Sequence, residues 1–180
     1  MNKLCTVSFL LLFLLAISCK SQSYKETKTV IIPMIECYIK YKNEKNTIDS
    51  KKNIIVIGAK IRDNDNKDLS ISFYFINPQL LQSFNYSNVY SIHGYKMIVD
   101  KSLNKYDVLD YAFKGMEVPY ENFNVAKAPF SYSTDYWNII LNSKNEVIEI
   151  LPEEKSKKIK STLEERRVKF SKDYIDYSSL

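Results

Sequence analysis

Apolar and polar residues alternate through much of the chain. From Thr29 onward, Ile35, Cys37, Ile39 and Tyr41 share one face, while Glu36, Tyr38, Lys40 and Lys42 share the other. A period of two predicts a half-buried strand, and Pro33 marks its start or an edge position. Asn43 to Asn53 is a polar loop. Next, Ile55, Ile57, Ala59 and Ile61 alternate with Val56, Gly58, Lys60 and Arg62. Leu69, Ile71, Phe73 and Phe75 then alternate with Ser70, Ser72, Tyr74 and Ile76. The intervening Asp63-Asn64-Asp65-Asn66-Lys67-Asp68 makes these two strands an antiparallel hairpin. Tyr90 to Asp100 predicts a further strand. A second hairpin runs from Trp137, Ile139 and Leu141 through a turn at Asn142–Asn145 to Val147–Leu151.

The period changes elsewhere. Gln79 to Phe84 suits a short helical turn after Pro78, and Asn104 to Lys114 suits a short helix stopped by Gly115. Pro152-Glu153-Glu154 opens the strongest helical segment, because proline is tolerated in a first turn and acids there oppose the helix dipole. Glu153–Lys157, Glu154–Lys158 and Glu165–Lys169 are spaced as favourable pairs. Ile159, Leu163, Phe170 and Tyr174 form its narrow apolar stripe. Together these elements predict an α+β domain: an antiparallel sheet of about five to seven strands built from hairpins, with a C-terminal helix and one or two short helices packed on it.

The N-terminus follows a different pattern. Lys3 precedes an unbroken apolar run from Phe9 to Ile17, too short to be a good membrane span. A positive start before an apolar core of this length is the secretory-signal pattern. The run ends in Leu15-Ala16-Ile17-Ser18-Cys19, which resembles the lipobox of bacterial lipoproteins. The resemblance covers residues 1–19. It implies that the Cys19 thiol receives a diacylglycerol, that a peptidase cuts before it, and that the new amine is acylated. Two or three acyl chains anchor a protein stably where one is marginal. The resulting division is a signal peptide at 1–18, the lipidated Cys19 and a flexible tether at 19–28, and a single domain at 29–180. Lys20 follows the cysteine where some lipoproteins carry the aspartate that retains them in the inner membrane. Its presence favours the outer membrane as the address within the cell envelope, facing the periplasm or the surface.

Removal of Cys5 with the signal and lipidation of Cys19 leave Cys37 alone, so the mature chain has no intrachain disulfide. The formal charge of +5, one less without Lys3, is spread along the chain. It does not resemble the basic face of a nucleic-acid binder. Gly58, Gly94 and Gly115 are too far apart for a phosphate-cradling loop. One histidine, His93, does not supply an ordinary zinc ligand set, and no serine lies in a nucleophile-elbow sequence. Asp63–Asp68 superficially resembles a calcium loop. Lys67, Asp68 and Tyr74 occupy positions that call for an oxygen ligand, glycine and glutamate, so a solvated turn is the better reading. Asp107 and Asp110, three apart, read as ordinary exposed helix residues. No catalytic residue, metal or cofactor is expected, and the chain reads as non-enzymatic.

Fourteen tyrosines and one tryptophan are the suggestive feature. Tyr132, Tyr136 and Trp137 cluster at the second hairpin, with Tyr111 and Tyr120 before it. Such side chains are enriched at binding surfaces. They are also strand formers that fill sheet faces. The expected function is therefore a lipid-anchored envelope protein that binds or protects against a protein partner, in the manner of an immunity protein, with Tyr132, Tyr136 and Trp137 at the contact. The alternative is a module that binds polysaccharide or peptidoglycan, with Tyr136 and Trp137 as stacking platforms.

Overall fold

A computed structural model describes residues 27–45, 53–63, 67–119 and 136–177. Cys19, Tyr120, Tyr132 and the centre of the Asp63–Asp68 turn lie outside them. Described from residue 27, the first element is a helix to residue 44, α1. It is followed by β1 (Ile54–Asp63), β2 (Asp68–Ile76), a 3₁₀ turn (Pro78–Ser83), β3 (Val89–Ile92), β4 (Tyr95–Val99), α2 (Tyr106–Ala112), β5 (Glu117–Val118), β6 (Trp137–Leu141), β7 (Val147–Leu151) and α3 (Glu153–Glu165). The strands form one sheet in the order β5-β3-β4-β1-β2-β6-β7. All neighbours are antiparallel except β1 and β4, which run parallel. The α+β class and the helical C-terminal segment are as the sequence predicts.

Three local expectations are corrected. The segment from Thr29 to Lys42 is helix, not strand. Thr27, Val30, Ile31, Met34, Ile35, Tyr38, Ile39 and Lys42 are its buried positions, together with Cys37. Their spacing of three and four is the helical period, and burial of that stripe on the sheet outweighs the strand preference of Val30, Ile31 and Ile32. The helix already includes Thr27 and Lys28, which the sequence assigned to the tether. Tyr90–Asp100 is a hairpin rather than one strand. Ile92 pairs with Tyr95, and His93 and Gly94 turn the chain with φ of 50° and 79°. Two consecutive positive φ values make the tight turn whose twist matches paired strands.

The third correction concerns the C-terminal helix, which stops at Glu165, short of Phe170 and Tyr174. Arg167 takes a left-handed φ of 62°. The Val168 N–H donates to the Leu163 carbonyl at 3.0 Å, and the Arg167 N–H to Glu164 at 2.8 Å. This is a Schellman stop, reinforced by burial of Val168 and Leu163. Beyond it, Phe170 bridges to Val147 and packs edge-on against Tyr174. Of the pairs expected along α3, Lys158 instead reaches across to Glu44 of α1.

The large core lies between one sheet face and the three helices. It contains Ile55, Ile57, Ala59, Ile71, Phe73, Trp137, Ile139 and Leu141 from the strands, and Leu109, Ala112, Ile159 and Leu163 from α2 and α3. A smaller core on the opposite face gathers Ile54, Val56, Ile76 and Ile98 under Leu80 and Leu81 of the 3₁₀ turn. Thus β1 is covered on both faces.

Candidate functional site

His93, Glu36, Asp110 and Tyr90 are engaged in structural contacts. The His93 ring lies at the tip of the β3–β4 hairpin, its Nε2 3.0 Å from Glu36 on α1. Glu36 also accepts from Arg166, at 2.9 Å. Its carboxylate therefore ties the hairpin to the end of α3. Among the described residues, no serine, threonine or cysteine is hydrogen-bonded to His93. Asp110 accepts from the Tyr90 hydroxyl at 2.8 Å and pairs with Lys101 at 3.2 Å. Burial, joined by that hydrogen bond, pushes the Tyr90 hydroxyl up to about 12. Asp110 on α2 thus serves to hold a buried tyrosine.

Cys37 is buried, on a helix rather than the expected strand, and is free. Burial pushes its thiol up to about 11, so the reactive thiolate is scarce at neutral pH. It lines a crevice between the antiparallel α1 and α3, together with Tyr41, Glu44, Trp137, Lys158 and Thr162. The crevice encloses about 10 Å³, on the scale of one water molecule.

The aromatic cluster divides. Trp137 has no exposed surface. Its ring meets Tyr38 edge-on at 5.1 Å and Tyr41 at the same separation. This corrects the expectation of a contact or stacking role, because a ring sealed beneath α1 presents no face to a partner. The alternation of β6 accounts for it: Trp137, Ile139 and Leu141 all turn toward the helices. Tyr136, one position earlier, is 54 % exposed. Tyr111 is also exposed, on α2.

Two polar features emerge only in three dimensions. Glu149, on the sheet face away from the helices, is 4 % exposed. It ion-pairs with Arg62 and accepts from the Tyr177 hydroxyl at 2.7 Å. The second is a cavity of about 350 Å³ at the other end of the α1–α3 pair, lined by Thr29, Val30, Lys144, Asn145, Arg166, Arg167, Val168 and Lys169. The Arg166-Arg167-Val168-Lys169 run is visible in the sequence, but nothing in the sequence joins it to Lys144 or to the start of α1. Among the described residues no group of acids, histidines and cysteines could hold a metal ion, and no helix is long and apolar enough to cross a membrane.

No protein-family model, curated protein or solved structure matches this chain.

Proposed function

We propose that the chain is a lipid-anchored cell-envelope protein, held at the outer membrane through Cys19, with a non-enzymatic binding or protective role toward a protein partner. The single observation that carries the address is the lipobox-like Leu15-Ala16-Ile17-Ser18-Cys19 at the end of the apolar run. The binding role is supported by the fate of the reactive side chains. His93 is tied to Glu36, Asp110 to Tyr90 and Lys101, and Cys37 is sealed in a crevice of single-water size. Tyr136 and Tyr111 supply the exposed aromatic surface. The glycan-binding alternative is weakened by the burial of Trp137, its better stacking platform.

A photo-cross-linking residue in place of Tyr136, introduced into the full chain in its own cells, tests the partner. One envelope protein recovered in stoichiometric yield is the expected result. Ladders of unrelated products, or no product with the protein correctly localised, would remove the partner from this surface.

A further inference from the structure

The cavity beside the start of α1 combines size, charge and position. At about 350 Å³ it falls within the range of small-ligand pockets. Among the described residues its lining holds four cations, Lys144, Arg166, Arg167 and Lys169, and no carboxylate. Arg166 is engaged with Glu36. Among the described residues Lys144, Arg167 and Lys169 make no ion pair, and all three are exposed. The backbone fixes the arrangement. Arg167 sits in the left-handed corner that ends α3, and Asn145, with a φ of 59°, shapes the β6–β7 turn that carries Lys144. The Val147 N–H donates to the Lys169 carbonyl at 2.9 Å, binding turn and corner together. Unneutralised cations converging on one concavity repel one another, and an anion relieves that repulsion.

Position indicates which anion. The Thr27 hydroxyl donates to Asn145 at 3.0 Å, so the described start of α1 is fastened to the cavity wall. Thr27 follows Cys19 by eight positions. Even fully extended, that stretch spans at most roughly 28 Å. On the anchor reading above, the cavity wall at Thr27 therefore stays within roughly 28 Å of the anchoring sulfur, a reach that includes approaches within a Debye length of the headgroups, ~8 Å at physiological ionic strength.

We propose that this cavity receives the phosphate headgroup of an anionic lipid in the membrane that holds Cys19, docking the domain with its basic end toward the bilayer. The inference rests on the anchor. The test reconstitutes the native lipidated protein into vesicles of phosphatidylcholine alone, or of phosphatidylcholine with phosphatidylglycerol, and reads the amine-modification rates of Lys144 and Lys169 by mass spectrometry. Flotation with the neutral vesicles reports the anchor independently of the cavity. Protection of each lysine by roughly fivefold in the anionic vesicles alone is expected, since each cation near such a surface contributes about fivefold in affinity. High salt should abolish it. The Lys144→Glu, Arg167→Glu double variant should still float but lose the protection of Lys169. Flotation with equal modification rates in both vesicle types would overturn the docking and leave the anchor intact. Protection by added inorganic phosphate but not by anionic vesicles would assign the cavity to a soluble anion instead. Failure to float with neutral vesicles would remove the anchor, and the headgroup site with it.

Discussion

The two ends of the α1–α3 pair differ in how their charges are matched. At one end Lys158 meets Glu44, aromatic rings lie beneath, and the space closes to the scale of a single water. At the other, Lys144, Arg167 and Lys169 have no acidic partner among the described residues, and the space stays open at about 350 Å³. α1 lines both, with α3 at the first end, and with the β6–β7 turn and the chain just beyond α3 at the second. Packing decides the first end: Tyr41 lies over Trp137 while the Lys155 and Lys158 ammonium groups approach the Tyr41 ring at 5.4 and 5.8 Å. At the second end α3 has already stopped, and the chain turns outward at Arg167 instead of continuing against α1. Thus the closed end stabilises the fold, and the open end leaves charge that no described acid neutralises.

The largest effect that sharpens this contrast is expected at the closed end. Trp137→Ala should lower unfolding free energy by about 3–5 kcal/mol, the usual cost of emptying an aromatic core site. Denaturant titration measures it. A loss below about 0.5 kcal/mol would be surface behaviour and would place the ring outside the core. Next, Glu149→Ala should cost about 0.5–1.5 kcal/mol, because the half-exposed Arg62 guanidinium and the Tyr177 hydroxyl it leaves behind are partly re-solvated. A double-mutant cycle with Tyr177→Phe isolates the hydroxyl's share.

A third effect is alkaline. Burial raises the thiol of Cys37 to about 11 and the hydroxyls of Tyr74 and Tyr174 to about 12. Their unfolded counterparts ionise from about 9 and 10. The unfolded chain therefore loses protons first, and stability should be intact below about pH 8 and fall as pH rises from about 9 toward 12. Cys37→Ser should remove the thiol's part of that slope. Denaturation midpoints that do not change between pH 8 and 11 would contradict the burial of these groups. The smallest effect belongs to the open end. Lys144→Glu and Lys169→Glu should leave the melting temperature unchanged, because neither cation has an acidic partner to lose among the described residues.

The sequence revealed the sheet better than the helices. The Ile55–Ile61 and Leu69–Phe75 alternation is realised as β1 and β2 with Ile57 opposite Phe73, because turn chemistry and period agree there. The Trp137–Leu151 hairpin is likewise realised in β6 and β7. Residues 29–42 misled because Ile35, Cys37, Ile39 and Tyr41 fit a period of two while Val30, Ile31, Met34, Ile35, Tyr38 and Ile39 fit the helical one. Only the presence of a sheet to cover decides between them. The alternation of Trp137, Ile139 and Leu141 on β6 carries the burial of Trp137, whereas the ring's chemistry alone suits recognition equally well. The basic cavity was illegible for another reason. Its cations come from a hairpin turn and a helix corner far apart in the chain, and the hydrogen bonds from Thr27 to Asn145 and from Val147 to Lys169 are what unite them.

Anchor, docking and partner all presuppose one covalent event, so intact-mass analysis of the protein purified from its own membranes is the most direct test. The expected species begins at Cys19 and carries the added mass of a diacylglyceryl group and an acyl chain. A species that retains Met1, or that begins at Cys19 with an unmodified thiol, would contradict the account.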